Sequence, residues 1–110
     1  MGITKTTNYS EQQLIIANRL KALGHPARIA IIEILLQRAT CICGELVNEL
    51  PLSQPTISQH LKELKSVGLI KGTIEGTSVC YCIDREVFSE ITTYFDALTI
   101  DIDNRQNECC

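Results

Sequence analysis

Apolar positions recur along most of this chain at three- and four-residue intervals, and at two-residue intervals over one short stretch. Leu14, Ile15, Ala17, Leu20 and Leu23 keep helical spacing up to Gly24, a residue suited to a helix stop. Pro26 fits the first turn of a second helix, where the N–H it lacks would have no intrahelical acceptor. The run "ARIAIIEILLQ" is apolar nearly all round, so this helix is expected in the middle of a small domain. A third, short helix is predicted from Gly44 to Leu50, and Pro51 ends it because the residue before a proline is steered away from helical angles.

The next stretch, "LSQPTISQHLKELKSVG", carries its own punctuation. Ser53 suits an N-cap, Pro55 the first turn and Gly68 the stop. Ile57, Leu61 and Leu64 form one apolar stripe, which leaves Thr56, Ser58, Gln59, His60 and Lys62 as a polar set able to reach base edges and phosphates. With Ser53 and Gln54 before them and Lys65 after, these are the candidate DNA-contacting residues. An ordinary solvated helix face would show the same polarity. The short helix and tight turn in front favour a helix-turn-helix, whose second helix presents its N-terminal half to DNA.

After Gly68, "LIKGTIEGTSVCYCID" predicts two strands around a turn near Glu75-Gly76, with Val79, Tyr81 and Ile83 on one face and Cys80 and Cys82 on the other. A hairpin directly after a recognition helix is a wing. A last helix, from about Arg85 to Leu98, has Val87, Ile91, Tyr94, Phe95 and Leu98 as its apolar stripe. This stripe and that of the first helix exceed what a small core can cover, so a two-fold homodimer is expected, with Leu14, Tyr94 and Leu98 near its interface. The expected architecture is α+β, mainly α: a winged helix-turn-helix of five helices and a two-stranded hairpin over residues 1–98, followed by a polar tail, 99–110, ending in Cys-Cys.

Length and charge narrow the possibilities. A chain of 110 residues supports one ordinary domain. Charges such as Arg28, Glu33 and Arg38 break every apolar run before the ~18 residues needed to cross a bilayer. The start, "MGITKTTNYSEQQ", has no apolar core of a signal peptide, so a cytoplasmic location is expected, and there six cysteines should be thiols. The net charge of −3 is unevenly spread: residues 1–38 sum to +3, residues 51–83 to +1 and residues 84–110 to −5. Any DNA surface must therefore be local, or assembled from two subunits.

Taken together, "LKALGHPARIAIIEILL", "LSQPTISQHLKELKSVGLI" and "EGTSVCYCI" resemble the second-helix signature, recognition helix and wing of the ArsR/SmtB metalloregulators, small dimeric winged-helix repressors. The likeness runs from about Leu20 to Asp84. It implies dimeric binding to a palindromic operator, no cofactor required for DNA binding, and release by an inducer. "TCICGEL" resembles the family's Cys-x-Cys box, which implies Cys41 and Cys43 as thiolate ligands of As(III) or Sb(III), or of Cd(II) or Pb(II). Thiols at a helix N-terminus have a lowered pKa, and soft thiolates select soft ions. Residues two apart on a helix point to different sides, so one ion could hold both only by unwinding that turn. Packing as small apolar core residues is the lesser alternative for these two cysteines.

The departures bear on the inducer. Where the arsenic box has a third cysteine, this chain has Leu46; residues 1–40 contain no cysteine, and the last helix has no histidine for the family's zinc site. Cys109 and Cys110 are the candidate further ligands, on a tail whose twelve residues could span ~40 Å if extended. Cys80 and Cys82 are expected at the surface of the wing, and His25 and His60 in helical roles. A repressor of the same fold sensing oxidants or sulfur species through cysteine pairs is the alternative. An enzyme with an activated cysteine is not expected, since nothing in the spacing sets a histidine and an Asp or Asn beside Cys41 or Cys43.

Overall fold

The structure, a computed structural model, describes residues 8–37, 42–43, 49–75 and 78–105. Helix α1 (Glu11–Leu23) begins at a capping box. Gln13 N donates to Ser10 Oγ at 3.0 Å and Ser10 N to Gln13 Oε1 at 2.9 Å, so two N–H groups of the helix start are satisfied reciprocally. Helix α2 (Pro26–Gln37) starts at its proline as expected, with His25 Nδ1 accepting from Ala27 N at 3.0 Å. Ile31, Ile32 and Leu35 bury one side of it, but Ile29 and Leu36 remain exposed, so α2 is not enclosed all round within this one chain.

A two-residue strand, β1 (Ile42–Cys43), follows. The helix expected at Gly44 to Leu50 lies almost wholly on residues 44–48, outside the described ones. Helix α3 (Gln54–Ser66) then leads into strands β2 (Ile70–Glu75) and β3 (Ser78–Ile83) and helix α4 (Arg85–Asn104). The described residues thus hold four helices and one antiparallel sheet. Its order is β1-β3-β2, three strands where the sequence pattern predicts two, because two residues are too short for a periodicity signal.

Gly68 terminates α3. Its φ of 80° is left-handed; Leu69 N reaches back to Leu64 O and Gly68 N to Lys65 O, at 3.1 and 3.0 Å. That is a Schellman closure, and its apolar partners Leu64 and Leu69 are fully buried. The core gathers Ile16, Ala22, Ile31, Ile32, Leu35, Ile57, Leu61, Leu64, Leu69, Ile70 and Ile91, with α3 packed on α1, α2 and β2. Helix α4 starts at Asp84, whose carboxylate accepts from Glu86 N and Val87 N. It runs to Asn104, six residues beyond the expected end at Leu98, so the first half of the expected tail is helical. Ile100 and Ile102 stay exposed there.

Candidate nucleic-acid interface

Helix α3 sorts its side chains cleanly. Ile57, His60, Leu61 and Leu64 face inward, while Gln54, Thr56, Ser58, Gln59, Lys62 and Lys65 are exposed, as is Ser53 at the cap. Ser53 stands at the N-cap, but its hydroxyl pairs with the Thr56 hydroxyl at 2.9 Å rather than with a backbone N–H, which leaves helix N–H groups at this end for an external acceptor such as a phosphate. Gln59 Nε2 donates to Glu63 Oε1 at 3.1 Å, a surface bond that a base edge can replace. Lys65 extends over β2, where a Cβ placed on Gly72 would meet its Nζ at 3.0 Å, so the glycine makes room for the lysine between recognition helix and wing.

His60 is corrected: it does not belong to the exposed set, being 8% exposed. Its Nδ1 accepts from Arg28 Nε at 3.1 Å, and its ring lies 4.5 Å from that of His25, centroid to centroid. Burial holds its pKa below the ordinary 6.5, and the charges of His25 and Arg28 push the same way. An accepting Nδ1 belongs to the neutral ring, in agreement with that shift. Arg28 also donates from Nη1 to Ala22 O at 3.0 Å, so one guanidinium joins the end of α1, the first turn of α2 and the middle of α3. Spacing alone places His60 beside the Ile57-Leu61 stripe; only the cation on α2 explains why a polar ring sits inside it.

Cys80 is also corrected. It lies on the central strand with no exposed surface, and both Cys80 and Cys82 are disulfide-bonded, whereas Val79 is exposed. Tyr81 and Ile83 do pack against the core as the alternation predicts. Of the expected ion ligands, Cys41, Cys109 and Cys110 lie outside the described residues, and Cys43 is described only as backbone in β1. Among the described residues no group of three His, Cys, Asp or Glu side chains could hold a metal ion.

A recognition-type helix followed by a hairpin has close counterparts among known proteins. The profile described as "Bacterial regulatory protein, arsR family" matches residues 25–71, from the start of α2 into β2. An arsenical resistance operon repressor of Staphylococcus xylosus is 30% identical over 91 residues, covering 83% of this chain and 82% of that protein. The chain belongs to the arsR family of bacterial regulatory proteins. An uncharacterized HTH-type transcriptional regulator of Methanocaldococcus jannaschii is 39% identical over 83 residues, 74% of this chain and 92% of its own. In fold, an ArsR-like transcriptional regulator from Rhodococcus sp. RHA1 superposes with a TM-score of 0.74 over 87% of this chain and 90% of that one, at 20% identity. As an arsR-family regulator the chain carries a winged helix-turn-helix DNA-binding domain, and no helix among its described residues is long and apolar enough to cross a membrane.

The groove between α1 and α4 is the other surface with chemistry of its own. Ile15, Ile16, Tyr94, Ala97 and Leu98 line it, and Arg19 bridges it to Glu90 at 2.7 Å. Ile15 and Leu98 are exposed, and Leu14 and Tyr94 are half-buried.

Proposed function

We propose that this protein is a dimeric, sequence-specific repressor that leaves its operator when a thiophilic inducer, As(III) or Sb(III), binds. The observation that carries the DNA half is the split of α3 into an inner face held by Ile57, Leu61, Leu64 and the Arg28-linked His60, and an outer face of short polar and basic side chains. Thr56, Ser58 and Gln59 would read base edges, and Lys62 and Lys65 would contact phosphates. The α1–α4 groove and the apolar Ile15 and Leu98 support a two-fold dimer through these helices, which sets two recognition helices about 34 Å apart.

The inducer half rests on chemistry and on likeness. Cys41 and Cys43 supply soft thiolates ahead of the segment that leads into the recognition helix, with Cys109 and Cys110 as further ligands, and the Staphylococcus xylosus relative is named for arsenical resistance. Fluorescence anisotropy on DNA from upstream of the protein's own gene tests both halves. Reduced wild type should bind and be released by arsenite, while Cys43→Ser should bind and stay bound. Release of Cys43→Ser by arsenite would overturn the role of the box. Release by cadmium or lead but not arsenite would move the inducer to a divalent ion.

A further inference from the structure

The sheet sets two cysteines that lie 37 residues apart in sequence side by side: Cys43, on β1, and Cys80, on β3. β1 runs antiparallel to β3, with Ile42 opposite Tyr81 and Cys43 opposite Cys80. Directly opposed residues of such a ladder have Cα atoms ~4.5 to 5.5 Å apart. That separation falls inside the ~4.4 to 6.8 Å a disulfide spans, so two opposed cysteines can bond without backbone movement. Cys80 is completely buried, and it is disulfide-bonded, as is Cys82 one pleat further on.

We propose that Cys43 and Cys80 form a thiol–disulfide pair whose oxidation by a peroxide ties the wing to β1 and weakens operator binding. One thiolate attacks a peroxide oxygen, leaving a sulfenic acid and expelling hydroxide; the second thiolate attacks that sulfur and expels hydroxide again. Overall, two thiols and one hydrogen peroxide give one disulfide and two waters, and a dithiol reductant reverses the change. The bond joins the strand that precedes the recognition helix to the central strand of the wing, so it fixes the position of one DNA-contacting element against the segment that leads to the other. A wing tied in the DNA-free arrangement loses the adjustment that docking requires, and the loss appears as differential affinity between the two states. This regulation rests on the DNA-binding reading of α3, and because it consumes the Cys43 thiolate, oxidation and inducer binding exclude one another at that residue.

Trypsin separates the thiols: peptide 39–62 holds Cys41 and Cys43, peptide 72–85 holds Cys80 and Cys82, and peptide 106–110 holds Cys109 and Cys110. In the full-length Cys41→Ser/Cys82→Ser variant, hydrogen peroxide should link 39–62 to 72–85. Its affinity for upstream DNA should then drop at least about fivefold and return with dithiothreitol. A Cys109→Ser/Cys110→Ser variant should keep both responses, and Cys80→Ala should lose them while its reduced form still binds DNA. A link from 72–85 to 106–110 instead, no link at all, or a link that leaves affinity unchanged would each overturn the proposal. Failure of the reduced protein to bind any DNA would count against the DNA-binding reading, while the peptide map would still decide whether Cys43 and Cys80 pair.

Discussion

Gln59 and His60 are neighbours on α3 with opposite environments, and they should answer mutation in opposite ways. Gln59 is exposed, and its bond to Glu63 is a surface i, i+4 contact worth about 0.2 to 0.5 kcal/mol, so Gln59→Ala should barely move the melting temperature. If Gln59 reads a base edge as proposed, its loss should nevertheless lower affinity for the specific site by about 1 to 3 kcal/mol, measured by anisotropy against a scrambled duplex. His60 should instead show itself in stability. Burial depresses its pKa below 6.5, so as the pH falls below that value the unfolded chain takes up a proton that the folded chain resists. Its contribution is complete above the unfolded pKa and is lost as pH falls through the lower, folded one. Thermal unfolding from about pH 8 to about pH 5 should therefore show stability falling on acidification, with a shallower slope in His60→Gln; identical slopes would remove His60 as the titrating group. The polarity of this helix is legible in its sequence. The burial of its histidine is not, because it depends on Arg28, 32 residues away.

At the level of elements, the punctuation residues do most of the deciding. Pro26, Pro55 and Gly68 place the helix boundaries correctly because each acts through local backbone chemistry. The Ser10-Gln13 capping box is equally local, a Ser-x-x-Gln pattern ahead of an apolar run that the periodicity argument passes over. β1 and the long α4 are harder, since a two-residue strand exists only through its partner and the end of α4 carries no glycine or proline. Gly68 permits a direct measurement. A Cβ there would sit 3.6 Å from Val87 Cγ2, an ordinary contact, so Gly68→Ala should cost only the backbone strain of an L-residue at φ 80°, about 1 to 2 kcal/mol. The denaturation midpoint should shift accordingly with an unchanged slope. Leu64→Ala, at a fully buried position, should cost more, about 2 to 5 kcal/mol.

At the scale of the molecule, one chain leaves apolar residues uncovered, and the proposed dimer can be tested on them. Ile15 on α1 and Phe95 and Leu98 on α4 are exposed beside a groove already bridged by Arg19 and Glu90. Light scattering at micromolar concentration should give twice the chain mass, and Leu98→Glu should shift the population toward the single chain, with operator binding falling in parallel. The excess of apolar stripe over core is visible in the sequence. The pairing of Cys43 with β3 is not, because strand partners 37 residues apart leave no trace in local spacing. The extended α4 also shortens a leash. With the helix running to Asn104 and Arg105 closing it, Cys110 stands five residues beyond, and five residues reach at most ~18 Å rather than the ~40 Å open to a twelve-residue tail. A rigid rod of twenty residues, ~30 Å long, therefore decides where Cys109 and Cys110 can go, and any thiol they share an ion with must lie within that short radius of the rod's far end.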